Sequence, residues 1–364
     1  MKIAILGTRG IPNNYGGFEQ CAEFLSVGLV KKGHEVLVYN PSFHTYNKLN
    51  YKGVKIVKVY SPQNLVGASA ANFIYDYLCL KDALKKDVDI ILELGLITSA
   101  LSIILLKDKN VPIVTNLDGL EWKRKKWSTS VQKLTKYLEK YGVKYSDYLI
   151  SDNIGIKNHV LNEYGKYSRY IPYGAQKIKN FNIDVLNEYE LLPYQYILSI
   201  CRLEPENNLE IMIDGYIESN QTIPYIIIGN HLTPYADYLK DKYRNKNIFF
   251  LGGIYNKNHL DSMRHYSSIY LHGHSVGGTN PALLEAMASG AFILAHENQF
   301  NRSVLDDNAL YFSKKQDVSL SLKDIAQKDI YIKKNLDKIE KVYNWSKIIN
   351  DYERYFKDIL SNKV

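Results

Sequence analysis

The stretch from His272 to Gly290, HGHSVGGTNPALLEAMASG, leaves the apolar run IYL, crosses a glycine-broken loop and enters a helix. That order of strand, loop and helix decides how the chain is read. Asn280 is a good N-cap, and Pro281 suits the first helical position because its missing N–H costs nothing there. Ala282 to Ala288 are strong helix formers that end near Gly290. Ahead of the helix, Gly277, Gly278 and Thr279 leave backbone N–H groups at the positive end of the helix dipole, an arrangement suited to a phosphate. Glu285, a little over one turn in, repels phosphate and is matched to hydroxyls instead. The plain alternative is an ordinary capped helix with a solvated glutamate.

The same alternation runs through the chain twice. KIAILGT reads as a strand and FEQCAEFLSVGLVKKG as a helix; HEVLVYN, KIVKVY, DIILELG, PIVTNLD, YLISD and RYIPYG are further strands between helical stretches. After IPYGA the pattern restarts with YQYILSICRLE, PYIIIGN, IFFLGG, SIYLHGH and AFILAHE. Repeated βαβ units imply parallel sheets covered on both faces. The expected class is α/β, with two doubly wound Rossmann-like domains, residues 1–176 and 177–340, facing across a cleft lined by the carboxyl ends of their strands. No low-complexity segment or sequence repeat appears, and the 31 tyrosines read as compositional bias.

Composition agrees with a globular chain: 364 residues, 46% hydrophobic and 23% charged, are ordinary for two soluble domains. Cys21, Cys79 and Cys201 are scattered, so neither a disulfide framework nor a structural zinc site is expected, which fits a reducing cytoplasm. MKIAILGTRG has too short an apolar run for a signal peptide, and no run reaches transmembrane length. The net charge of +8 is unevenly spread: residues 1–176 hold 24 basic and 15 acidic residues, residues 177–364 hold 22 and 23. The surplus in the first half implies an anionic partner there. Its densest cluster is Trp122, Lys123, Arg124, Lys125, Lys126 and Trp127, which reads either as a solvated charge run or as an interfacial patch that meets anionic lipid or an acceptor. Nucleic acid is not expected, because no recognition motif accompanies the patch.

The first loop, GTRGIPNNYGGFEQ, tests a rival reading. A dinucleotide GxGxxG beginning at Gly7 would need glycine at Arg9 and Pro12, so a nicotinamide dehydrogenase is disfavoured. Tyr15, Gly16 and Gly17, just before the helix, allow close backbone approach to a ligand, although plain turn chemistry would also explain them. No Walker GxxxxGK[ST] occurs, which leaves an ATPase without support.

Four motifs, GTRGIPNNYGGFE, NLDGLEWKRKKW, ICRLEPENN and HGHSVGGTNPALLEAM with FNRSVLDDNALYF, together resemble the retaining GT-B glycosyltransferases of the family 4 type. More narrowly they resemble the bacterial rhamnosyltransferase-like subgroup that builds capsular, O-antigen and cell-wall polysaccharides. The resemblance implies an acceptor domain first and a nucleotide-sugar domain second, no metal or other cofactor, and a final helix, residues 341–364, that crosses back to the first domain. It matches Glu285 to the ribose-binding glutamate and Arg202 to the diphosphate-binding arginine. Gly16, Gly17, Asn207, Gly278, Thr279 and Asn280 complete the implied donor site. Two departures stand out: the family's lysine falls on Asn207 and its first glutamate on Gly277. Another cation, Arg9 or Arg302, is then needed at the diphosphate, and the donor is not gripped as a common glucose or mannose is.

The expectation is transfer of a sugar, L-rhamnose from dTDP-rhamnose, onto a lipid-diphosphate-linked saccharide by a cytoplasmic enzyme peripheral on the inner face of the cell membrane. Asp118, at the end of the strand-like run PIVTNLD, is the expected catalytic residue, with Glu121 the alternative and a turn-capping role the plain reading. The competitors are a GT-B transferase using a UDP- or GDP-hexose, a GT-B-fold sugar-nucleotide epimerase, and a catalytically silent scaffold.

Overall fold

The computed structural model describes residues 1–14, 16–106, 110–117, 119–324 and 326–363. The chain divides into two compact units, Met1–Lys123, Trp127–Tyr173 and Trp345–Val364 in the first, Arg124–Lys126 and Gly174–Asn344 in the second. Both are doubly wound α/β units.

The first unit contains β1 (Lys2–Leu6), β2 (Glu35–Pro41), β3 (Asn50–Tyr51), β4 (Val54–Val59), β5 (Ile90–Leu94), β6 (Ile113–Asn116), β7 (Tyr148–Ser151) and β8 (Arg169–Tyr170). They lie in the order β3-β4-β2-β1-β5-β6-β7-β8. Every pairing is parallel except β3 with β4. That hairpin was not legible as a strand pair because it is made by its turn: Lys52 and Gly53 take φ of 49° and 89°, the left-handed pair of a two-residue turn. The central strands are buried on both faces and mostly apolar, as a sheet covered by helices on both sides requires.

The second unit contains β9 (Ile197–Ile200), β10 (Tyr225–Ile228), β11 (Ile248–Gly252), β12 (Ile269–His272), β13 (Ile293–His296) and β14 (Leu310–Phe312). The order is β11-β10-β9-β12-β13-β14, all parallel. The short edge strand β14 lies within NALYF, where the sequence has no alternation long enough to mark it. In such sheets ligands bind beyond the carboxyl ends of the two strands where the winding reverses. Those strands are β1 and β5 in the first unit, β9 and β12 in the second.

The last helix, Trp345–Leu360, lies in the first unit and packs on the helix Gly17–Lys31. Trp345, Ile348, Tyr352, Phe356 and Ile359 are buried at helical spacing, and Trp345 stacks on Phe24 with ring centroids 4.7 Å apart and planes 4° apart. A Cβ at Gly28 would fall 2.2 Å from Ile349 Cδ1, so the two helices meet closely there. Glu353 accepts from Lys32 Nζ at 2.7 Å, sits 3.0 Å from His34 Nε2, and is held down to about 2 by hydrogen bonds from Lys32 and Lys357. Removing the stacked ring is expected to destabilise this unit: Trp345→Ala costs about 3 kcal/mol, read as a lower urea midpoint with an unchanged slope.

Candidate functional site

In the second unit the loops after β9 and β12 are built against each other. A Cβ at Gly273 would lie 1.9 Å from the Asn207 carbonyl oxygen, so only glycine lets the end of β12 pass that backbone. Asn208, in the left-handed conformation at φ 52°, donates from Nδ2 to the Gly273 oxygen at 2.7 Å and starts the helix Leu209–Ser219. Ser275 donates to the Glu206 carbonyl from both its N–H, at 3.1 Å, and its hydroxyl, at 2.7 Å. Asn207, expected at the donor, is buried, and its Nδ2 donates to the Arg202 carbonyl at 2.6 Å. It shapes the loop that carries Arg202.

Arg202 itself is 57% exposed, with Nη1 3.8 Å from Glu204 Oε1. Two residues of the Trp-flanked cluster join it. Arg124 Nη1 lies 3.5 Å from Glu206 Oε1 and 3.9 Å from Glu204 Oε2, and Lys126 Nζ lies 3.4 Å from Glu204 Oε1. Burial pushes the Glu204 carboxyl up, but Arg202, Lys126 and Arg124 outweigh it and leave it below the usual carboxylate range. Arg302, by contrast, is committed elsewhere: it donates to Glu297 from Nε and Nη2 at 2.8 and 2.6 Å and to Asp307 from Nη1 at 2.9 Å, and stacks over Tyr311. Arg9 gives its backbone N–H to Glu19 Oε1 at 2.7 Å.

The helix Pro281–Ala288 starts where the sequence places it. Asn280 Oδ1 accepts from the Ala282 N–H at 2.9 Å, and Thr279 is buried beside it. Gly277, at φ 142°, has open space where a side chain would be, and Gly278 follows it in the same bend. Glu285 accepts from Arg264 Nη2 at 2.6 Å while staying 23% exposed. Arg264 is fully buried and also donates from Nη1 to Asp261 Oδ1 at 3.1 Å, Asp261 being held in turn by Lys257 at 2.7 Å. Burial works against the Arg264 charge, but Glu285 and Asp261 more than restore it.

His272 and His274 stack at the end of β12, with centroids 4.7 Å apart and planes 15° apart. Burial pushes His272 down to about 3, and burial with the neighbouring His272, Arg202 and Arg124 pushes His274 well below the usual range. Both rings are neutral at pH 7. The His274 carbonyl accepts from Asn298 Nδ2 and Asn301 Nδ2, each at 3.0 Å, which ties this rim to β13.

In the first unit the loop after β1 is held from inside. Ile11 N–H donates to Asn40 Oδ1 at 3.1 Å and Asn40 Nδ2 returns a bond to the Ile11 carbonyl at 2.8 Å. Asn13 N–H donates to Glu23 Oε2 at 2.7 Å. Gly7, at φ 75°, passes the Leu94 carbonyl so closely that a Cβ would sit 2.1 Å from it. Gly16 caps the helix Gly17–Lys31 in extended conformation, with Glu19 folded beneath. Asp118 and Tyr15 lie outside the described residues. Just before Asp118, Asn116 is fully buried at the end of β6, and its amide has no hydrogen-bond partner among the described residues. In the Trp-flanked cluster, Trp127 Nε1 donates to Glu121 Oε2 at 3.4 Å. Trp122 carries Lys123 and Lys136 over its ring at 5.1 and 4.7 Å, and Lys125 is exposed. No group of three or more metal-ligating side chains occurs among the described residues.

Sequence reasoning missed Arg264, the two histidines, Asn40 and Asn116. The histidines carried a signal, two rings at alternate positions entering a glycine loop; Arg264 carried none beyond a local pair with Asp261, because Glu285 lies 21 positions away.

Residues 188–335 match the family described as glycosyl transferases group 1, and residues 1–176 match a domain of unknown function, DUF1972. No curated protein matches. Sucrose-phosphate synthase from Thermosynechococcus elongatus is similar over 99% of both chains, with a TM-score of 0.81 and 14% identity. Anabaena HepE, solved with UDP and glucose, is similar over 98% of this chain and 100% of its own, with a TM-score of 0.73 and 14% identity. The trehalose-6-phosphate synthase OtsA is similar over 98% and 99%, with a TM-score of 0.74 and 15% identity. The class is thereby defined: a GT-B fold of two Rossmann-like domains. With a glycosyl transferases group 1 match across most of its second unit, the chain is a glycosyltransferase.

The neutral histidines make the second unit acid-sensitive. Below pH 6.5 the unfolded chain takes up protons that folded His272 refuses until about pH 3, so stability is complete above 6.5 and falls with pH across that window. The slope is about 1.4 kcal/mol per pH unit per histidine. His272→Asn is expected to flatten it by one proton, measured as urea unfolding free energy at several pH values.

Proposed function

We propose that the chain is a retaining glycosyltransferase that moves L-rhamnose from dTDP-rhamnose onto a lipid-diphosphate-linked saccharide during capsule, O-antigen or cell-wall polysaccharide synthesis. On this reading residues 177–340 hold the donor, residues 1–176 the acceptor, and the work is done at the inner face of the cell membrane. The observation that carries it is Gly277. It stands where the family's first glutamate would grip sugar hydroxyls, and the space around it is open, which favours a 6-deoxyhexose. Glu285 takes the ribose hydroxyls, and Arg202 the diphosphate. Arg124 and Lys126 supply the cationic help that the absent lysine would have given, since Arg302 is tied to Glu297 and Asp307.

A second reading keeps the same residues with a UDP-hexose donor. It is favoured by similar structures solved with UDP-glucose, such as Anabaena HepE. Nucleotide-sugars incubated with a lipid-linked monosaccharide diphosphate, with product mass read out, separate the two. Addition of a deoxyhexose supports the first, addition of a hexose replaces it, and donor consumption that leaves the acceptor unchanged returns the epimerase reading.

Two substitutions test the roles. Glu285→Ala removes charge-assisted hydrogen bonds worth about 1.5–3 kcal/mol each and is expected to weaken dTDP binding about 10- to 100-fold in calorimetry; affinity equal to wild type ends the assignment. Asp118→Asn, nearly isosteric, is expected to cut single-turnover transfer about a hundredfold with nucleotide affinity unchanged, whereas a loss of only a few-fold makes Asp118 a turn residue.

A further inference from the structure

The basic cluster at residues 122–127 is only partly available to a surface, because Arg124 and Lys126 face the carboxylates of Glu204 and Glu206. A second cationic surface lies on the helix Thr129–Tyr145. Its buried side is Thr135, Leu138, Glu139, Gly142 and Val143. At 100° per residue its outward side resolves into two adjacent rows. Lys133, Lys136, Lys140 and Lys144, all exposed, form one; Leu134, Tyr137, Tyr141 and Tyr145 form the other.

The second row is apolar and continuous. The rings of Tyr137 and Tyr141 lie 4.4 Å apart and those of Tyr141 and Tyr145 6.3 Å apart. Leu134 is 53% and Tyr137 57% exposed. The helix packs through Leu138 against Ala100, in a helix, Ala100–Leu105, that itself leaves Leu101 46% and Leu105 71% exposed. The helix Thr129–Tyr145 has a single carboxylate, Glu139, turned inward to His159 and Tyr164, each at 2.7 Å. Of the lysines, Lys136 pairs with Glu163 at 3.1 Å, and Lys144 lies over the Tyr145 ring at 5.2 Å.

We infer that this face docks the protein on an anionic bilayer surface, with the Leu134–Tyr145 row and the two leucines in the headgroup layer and the lysines against lipid phosphates. Lysine stems cover apolar surface while their heads reach polar ground, and tyrosine is at home at that depth. A second copy of the same face would set lysines against lysines, and a soluble polyanion would leave the leucines and tyrosines in water; an anionic bilayer satisfies both rows. Among the described residues no helix is long and apolar enough to cross a membrane, so the contact is with the surface. The inference rests on the proposed lipid-linked acceptor only for its purpose, and gives that proposal a place of contact beside residues 122–127, where Lys136 lies over the Trp122 ring.

The test is flotation of the full chain, without donor or acceptor, on vesicles of phosphatidylcholine alone or with 30% phosphatidylglycerol. Wild type is expected to float only with the anionic vesicles and to be released as salt rises. The triple substitution Lys133→Glu, Lys140→Glu, Lys144→Glu is expected to lower binding about a hundredfold or more, and Leu134→Ser with Tyr137→Ser to lower it at both low and high salt. Lys123→Ala with Lys125→Ala is the control and retains most of it. Thermal stabilisation by dTDP or UDP, whichever wild type takes, stays at the wild-type shift in every variant that is folded. Unchanged flotation of the triple variant, loss confined to the control, or a dimer in light scattering that the Leu134 and Tyr137 substitutions dissolve would each overturn the inference. Transfer to a water-soluble acceptor is indifferent to the substitutions on the helix Thr129–Tyr145, so failure of docking and failure of the donor assignment are told apart.

Discussion

Two backbones that cannot be pushed apart organise the second unit. The Asn207 carbonyl occupies the place where any side chain at residue 273 would begin, and the Cys201 carbonyl does the same to residue 229, each 1.9 Å from the Cβ that glycine lacks. In both cases the obstacle is backbone, which has no rotamer to move. The ends of β9, β10 and β12 are therefore locked into one rim. Asn208 completes the lock by turning left-handed and bonding Gly273, so Arg202, the stacked histidines and the loop Ser275–Asn280 descend from a shared rigid base. Loops on such a base keep the positions that a ligand needs, without paying to order them on binding.

The buried charge follows from the same geometry. Arg264 has lost its water, a cost that only good partners offset. Asp261 and Glu285 provide them from two different helices. An apolar residue at 264 would pack without that cost, but it would take away the 2.6 Å ion pair that orients Glu285 Oε2. With Oε2 held 2.6 Å from the guanidinium, the carboxylate, 23% exposed, is aimed in advance. Such preorganisation is what a side chain gripping a pair of hydroxyls requires.

The parallel strands other than β14 were legible because each is a short apolar run between glycines or polar turns, and the helix at Pro281 was legible because Asn-Pro is both a cap and a first turn. The hairpin at Lys52–Gly53 escaped because a turn, not a periodicity, makes it. Asn207 was read by its place in a motif and proved to be a fastener of the Arg202 loop, a role set by a tertiary hydrogen bond that no linear pattern carries. Arg264 was silent for the same reason: a single arginine in MRHYSS reads as surface charge until the fold brings Glu285 to it. The cluster WKRKKW was visible as charge, yet Arg124 and Lys126 face Glu206 and Glu204, which lie some 80 positions on and which no linear pattern connects to it.

That pairing changes what the charge count means. Residues 1–176 carry the surplus, but Arg124 and Lys126 deliver part of it to the second unit, where the sequence count is nearly neutral. Around Arg202 the balance is three cations, Arg202, Arg124 and Lys126, against the carboxylates of Glu204 and Glu206. This leaves one net positive charge, too little by itself for a dianionic diphosphate. On the proposed donor reading the remainder comes from oriented dipoles, the loop running from Gly277 into the Asn280 cap standing at the positive end of a helix. The neutral state of His272 and His274 fits this division of labour. Two charged imidazoles would have made the rim strongly cationic; two neutral ones leave the positive charge there to Arg202, Arg124 and Lys126.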